Sequence, residues 1–141
     1  MSEAENKVLV RRWFEEAWNK GRAEAIDEMC APNAVVHDLG GQDTSGLDAL
    51  KAFHSKFHDA FSNHRVRLDE IVAEHDLVAV RWTRTATHSG RGLGFPATNK
   101  TVTFGGMLFL RVENGKLKES WNCYDRAGLL QQLGRANTAD W

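Results

Sequence analysis

Leu9, Trp13 and Ala17, with Val10, Phe14 and Trp18 beside them, recur every four residues near the start of the chain. That spacing predicts an amphipathic helix with a broad aromatic face. Ser2 and Glu5 stand at capping-box spacing at its beginning, and Asn19-Lys20-Gly21 supplies its stop. Residues 23–29 read as a shorter helix that Pro32 ends, and 34–39 as a short strand. From Leu47 the apolar positions Leu50, Phe53, Phe57 and Phe61 step by three or four, giving a third helix with a phenylalanine stripe. The period then changes to two. Val66 and Leu68 alternate with Arg65, Arg67 and Asp69, and 77–88 and 100–112 are rich in β-formers. Asn114-Gly115, between 100–112 and 117–124, is a strong hairpin signal.

Helices followed by an antiparallel meander predict an α+β fold with the helices on one face of the sheet. No linker, repeat or low-complexity tract divides residues 1–141, so one domain is expected. A curved sheet wrapped around helices leaves an apolar hollow lined by aromatics, the usual form of a small-molecule site. Five Trp and seven Phe against one Tyr supply the flat side chains for such a lining, or for an ordinary filled core. A net charge of −1, with no Lys/Arg cluster, argues against nucleic acid as a partner. The polar N-terminal residues 1–7 and the absence of any long apolar run predict a cytoplasmic protein without membrane contact. Cys30 and Cys123, with no C-x-x-C spacing, read as reduced, buried thiols.

Four stretches carry a resemblance: "RRWFEEAWNKG" (11–21), "VAVRWTRTATHSG" (78–90), "GLGFPATNKTVTFGGMLFLRVENGKLKESWN" (92–122) and "DRAGLLQQLG" (125–134). Together they resemble the SnoaL-like polyketide cyclase family of the nuclear-transport-factor-2-like superfamily. The resemblance implies a cone-shaped α+β barrel: a curved mixed sheet, mostly antiparallel, with N-terminal helices enclosing a hydrophobic cavity, often assembled through the sheet into dimers or tetramers, with a homodimer expected here. It also implies closure of a polyketide ring by intramolecular aldol condensation without metal or cofactor. A carbon flanked by carbonyls is acidic enough for one acid/base in an apolar pocket to suffice. In those cyclases the acid/base is an Asp on the last strand, and the matching residue here is Asn122; the position of the assisting His is matched by Leu108. Asn donates and accepts hydrogen bonds but does not titrate, so it can hold an enolate oxygen without generating it.

His37, in "VVHDLG" on the first strand, reads either as a strand-end histidine hydrogen-bonded to backbone or, because histidine titrates near neutrality, as the residue best suited to replace that base. Its neighbour Asp38 reads as a turn residue, and Asp125 as the N-cap of the last helix. His54 and His58, one helical turn apart, lack the rest of a metal motif and read as a solvated edge; no metal site is expected. "GRGLGF" (90–95) precedes a proline and a strand rather than a helix, so it reads as a mobile lip over the cavity mouth. Arg81 and Arg84 differ by an odd count and must face opposite sides of the sheet.

The resulting expectation is a cofactor-free protein that takes a small, flat, hydrophobic or aromatic oxygenated ligand. Its contacts would be Trp18, Phe53, Phe57, Trp82, Leu108 and Tyr124, with Asn122 as polar anchor and His37 as base. A binding protein without catalysis, or another lyase or hydrolase on the same fold, is compatible with the same residues.

Overall fold

The computed structural model describes residues 2–39 and 41–135. Ser2 caps helix α1 (Glu3–Trp13) through the expected box: its side chain accepts from the Glu5 amide at 3.0 Å while the Glu5 carboxylate takes the Ser2 amide at 3.3 Å. The helix does not stop at Trp13. Its last turn widens into a π-helical segment (Phe14–Asn19), in which the Lys20 amide reaches back five residues to the Glu15 carbonyl. Helix α2 (Glu24–Met29) follows and runs directly into strand β1 (Cys30–Asp38), four residues earlier than the apolar pattern suggests. Pro32 lies within that strand instead of ending a helix.

Short strand β2 (Thr44–Ser45) leads to helix α3 (Leu47–Ala60), and the meander β3 (Phe61–Glu74), β4 (Leu77–His88), β5 (Thr101–Glu113) and β6 (Lys116–Tyr124) ends in helix α4 (Arg126–Gln132). The Asp125 carboxylate caps α4, accepting from the Gly128 amide at 2.9 Å. The β5–β6 turn needs two left-handed residues, and Asn114 and Gly115 supply them with φ of 52° and 73°. The six strands form one mixed sheet in the order β2-β1-β6-β5-β4-β3. Only β1 and β6 run parallel, with Val36 beside Ser120, His37 beside Trp121 and Asp38 beside Asn122.

Period-two alternation separates the two faces of the sheet. Val78, Val80, Trp82, Arg84, Ala86 and His88 of β4 are all buried, as are Val102, Phe104, Leu108, Leu110 and Val112 of β5. The helices cover this face with Val10, Phe14, Ala17, Ile26, Met29 and Leu50. Each of the larger side chains contributes about 1.5–3 kcal/mol by leaving water. Val72, Met107 and Phe109 lie exposed on the other face.

Two expectations about loops and thiols are corrected. The β4–β5 loop is docked rather than a mobile lip: Leu93 and Phe95 are buried, and the Gly90 amide donates to the Ala60 carbonyl at 3.1 Å. The approach is so close that a Cβ on Gly90 would lie 1.7 Å from the Asp59 carbonyl oxygen. Cys30 is buried, which pushes its thiol up to about 12, whereas Cys123 is exposed. Cys123 shares the outer face with Trp121 and stands beside the exposed Met107.

Candidate active site

Registered pairs carry the site across the inner face. Val80 stands beside Leu108, Leu108 beside Asn122, and Asn122 beside Asp38, so one row crosses β4, β5, β6 and β1. The next row sets Trp82 beside Gly106 and Gly106 beside Tyr124. Gly106 must be small here: a Cβ would meet the Trp82 indole at 2.3 Å and the Tyr124 Cβ at 2.9 Å. A third row sets Val66 beside Arg84 and Arg84 beside Phe104. The rings connect these rows, with Trp82 edge-on to Phe104 at 5.7 Å and Phe104 at 6.0 Å from Tyr124.

Asp38 is the carboxylate of this face. It is half-buried, and burial raises its carboxyl above the ordinary aspartate range, against a smaller downward pull from Arg126. Asn122 donates through Nδ2 to the Ser120 hydroxyl at 3.3 Å, which orients its amide along the strand. Burial pushes the Tyr124 phenol up to about 12, and Asp38 adds to the rise, so Tyr124 keeps its proton at neutral pH.

The far side of the site is built on the π-helical segment. A helix end leaves carbonyls that need donors. Histidines supply them: His54 Nε2 donates to the Ala17 carbonyl at 2.6 Å, and His58 Nε2 and His64 Nδ1 reach the Trp18 carbonyl at 3.1 and 3.0 Å. Asn19 ties the same segment to β3, accepting from the Val66 amide at 2.7 Å and donating to the Val66 carbonyl at 3.1 Å. His54 is thus buried and structural rather than a solvated edge, and among the described residues no three His, Cys, Asp or Glu are grouped to hold a metal.

This scaffold presents Trp18, and Arg84 fills the space beneath it. The Arg84 Cζ lies 4.8 Å from the Trp18 ring centre, 5.1 Å from Phe57 and 4.7 Å from Trp82. Arg84 is 9% exposed, and burial draws its pKa down to about 9, which leaves it charged at neutral pH. His64 beside it is pushed down to about 3 by burial and then by the Arg84 charge. It is therefore neutral, and with Nδ1 donating to Trp18, its Nε2 lone pair faces Arg84 Nη1 at 3.4 Å.

The structure brings Trp18, Phe57 and Trp82 together, and it places Leu108, Asn122 and Tyr124 on the same face. Phe53 touches the edge of Trp18 at 6.2 Å but is half exposed, at the rim of this cluster. His37 does not join them. As the residue before Asp38 it points to the outer face, where it stacks on Trp121 at 5.6 Å. There it donates to Glu119 at 2.6 Å and Asp43 at 2.9 Å. The strand pleat separates it from Asn122, so the expected His37–Asn122 pair does not exist. The carboxylate that does stand beside Asn122 is Asp38, the residue read as a turn.

The hydrogen bond to Glu119, then that to Asp43, raises the His37 pKa above its usual value. A raised folded-state pKa stabilises below the unfolded pKa and loses that contribution as pH rises through the folded one. His37→Ala is therefore expected to lower Tm at about pH 5, with the gap closing by about pH 9, and to leave ligand chemistry unchanged. Thermal melts at the two pH values check the first part; an equal gap at both would remove the ion pairs as its cause.

A shallow depression lined by Asn6, His75, Asp76, Val112, Asn114 and Gly115 lies at the opposite end of the sheet. Its acid, Asp76, is engaged by Arg111 at 2.7 Å, so it offers no free base.

Comparison with known proteins places the fold and the family. The chain is 28% identical over 133 residues to the aklanonic acid methyl ester cyclase DnrD of Streptomyces peucetius, covering 89% of this chain and 88% of that protein. The structure of AclR, a candidate hydroxylase from Streptomyces galilaeus, superposes with a TM-score of 0.85 at 30% identity, covering 99% of this chain and 87% of AclR. The structure of a candidate SnoaL-like polyketide cyclase from Jannaschia sp. CCS1 superposes with a TM-score of 0.86 at 22% identity, covering 93% of this chain and 92% of that one; it shares the nuclear-transport-factor-2-like fold. Among the described residues no helix is long and apolar enough to cross a membrane. The model of the SnoaL-like polyketide cyclases matches residues 8–133, and the chain belongs to that family.

Proposed function

We propose that the protein is a cofactor-free acid/base enzyme of the cyclase type, acting on a flat, oxygenated hydrophobic substrate whose reacting carbon is flanked by carbonyls. The supporting observation is the partnership of Asp38 and Asn122 across β1 and β6: a carboxylate with a raised pKa next to an amide that cannot titrate. The base is thus on the strand beside the position where the family resemblance places it.

In this reading Asp38 removes the proton from the activated carbon, and the Asn122 amide N–H holds the enolate oxygen as it gains charge. The enolate carbon attacks a second carbonyl of the same molecule, forming the ring C–C bond. The alkoxide produced takes the proton back from Asp38, so the enzyme returns to its starting state. Trp82, Leu108 and Tyr124 form the apolar wall, keeping water from competing for the enolate.

The test is incubation of the wild-type protein with an aklanonic acid methyl ester-type substrate, followed by chromatography of the products. Cyclisation above the buffer rate is expected. Substrate bound tightly but recovered unchanged would instead support a binding protein, the reading favoured by Asn122 and Leu108 at the two positions matched to catalytic residues. Neither binding nor turnover would leave the fold with a different chemistry.

A further inference from the structure

We propose that Arg84 is a carboxylate anchor, and that the ligand of this protein is a flat aromatic compound carrying a free acid. This rests on the inner face being the ligand site, but not on Asp38 being a base. The first argument is the missing counter-ion. Removing a guanidinium from water is costly unless an anion or full hydrogen bonding compensates it. Among the described residues no carboxylate pairs with Arg84; its sole hydrogen-bond neighbour is the neutral ring of His64 at 3.4 Å. The acidic hydroxyl whose charge it feels is Tyr124, which stays protonated at neutral pH.

The second argument is geometric. His64 lies against Nη1, while Nε is buried with no partner and Nη2 has no hydrogen bond among the described residues. In the planar guanidinium, Nε–H and one Nη2–H point the same way from a single edge. That edge is a two-donor fork matched to a carboxylate. The aromatic rings stabilise the cation through their π faces without using these donors. Trp18 and Phe57, whose rings lie against the guanidinium, and Tyr124 on the same face remain partly exposed.

The third argument is position. Arg84 and Asp38 are three strands and two rows apart on the same face, with Trp82, Phe104, Gly106 and Tyr124 between them. A ligand that holds its acid at Arg84 would lie along this face in the direction of Asp38. The curated relative DnrD is named for a methyl ester, a neutral group that would not satisfy this fork.

The test uses Trp fluorescence, since Trp18 and Trp82 flank the guanidinium. Wild-type protein is titrated at neutral pH with 2-naphthoate and with methyl 2-naphthoate. The acid is expected to bind roughly 10- to 100-fold more tightly than the ester, the range of a charge-assisted hydrogen-bond pair. Arg84→Met should bring the ratio to about one while raising Tm, because an uncompensated buried charge is removed. Arg84→Lys should retain part of the preference, having the charge but not the fork.

Equal affinity of the wild type for acid and ester, no saturable quenching by the acid up to millimolar concentration, or an undiminished preference in a folded Arg84→Met would each overturn the proposal. If Arg84→Met does not fold, the wild-type ratio and the Lys variant still decide it. Asp38→Asn separates the two readings: it should keep the acid preference even where turnover is lost, so the anchor can stand if the catalytic reading fails.

Discussion

Asp38→Asn is expected to lower cyclisation by about two to four powers of ten, the contribution of a positioned general base, while ligand affinity stays at the wild-type level. The loss should appear in kcat, because Asp38 acts on the proton rather than on the bound molecule. In the wild type the rate should rise with pH through the Asp38 pKa, since only the carboxylate can accept the proton. Burial sets that pKa above the ordinary aspartate range, and Arg126 is the group that pulls it down. Arg126→Gln should therefore move the acid limb to higher pH. Stability should change in the opposite sense to activity. A carboxyl with a raised folded-state pKa makes the fold less stable as pH rises from the unfolded value through the folded one. Asp38→Asn should accordingly raise Tm at neutral pH, with the gain disappearing in acid. A variant with wild-type kcat would remove Asp38 from the chemistry altogether.

Asn122→Asp is the second large effect. Asp38 and Asn122 are partners on neighbouring strands, which lie about 4.8 Å apart. Two carboxylates at that spacing cannot both ionise easily, and the upper apparent pKa of the pair would lie above that of Asp38 beside the amide. Activity near neutrality should fall as the acid limb moves upward, and more alkaline buffer should recover it. The exchange variant, Asp38→Asn with Asn122→Asp, has one carboxylate again and should regain much of the lost rate. An exchange variant as inactive as Asp38→Asn alone would show that the acid works from only one strand. The electrostatics also give a physical reason for asparagine at 122: with an acid on β1, an amide on β6 keeps the pair at a single negative charge.

Much of the frame was legible along the chain. The Ser2–Glu5 box, the Asp125 cap and the Asn114-Gly115 turn form as their local chemistry requires, because each depends on contacts within three residues. Period-two alternation separated Arg81 from Arg84. Arg81 pairs with Glu70 at 2.7 Å on the outer face, while Arg84 is buried. The same count already grouped Arg84 with Val78, Val80, Trp82 and Ala86, a row of apolar residues interrupted by one cation. That interruption was the available signal for the anion site. Asp38 had a weaker one, two residues beyond Val36 and four beyond the buried Ala34.

The sequence by itself determined the longer helices and strands, their alternating faces and the family, since periodicity, caps and turns act over a few residues. Only the tertiary structure decided that β1 lies parallel to β6 in the register that sets Asp38 against Asn122 and turns His37 away. That pairing joins residues some eighty positions apart, and a shift of one residue would exchange the two side chains' faces. The docking of the three histidines against the carbonyls of the π-helical turn, and the burial of Arg84 among Trp18, Phe57 and Trp82, are decided in the same way. These groups come from separate helices and strands, so the carbonyls that the histidines meet and the rings that surround the guanidinium are assembled only when the sheet curves around them.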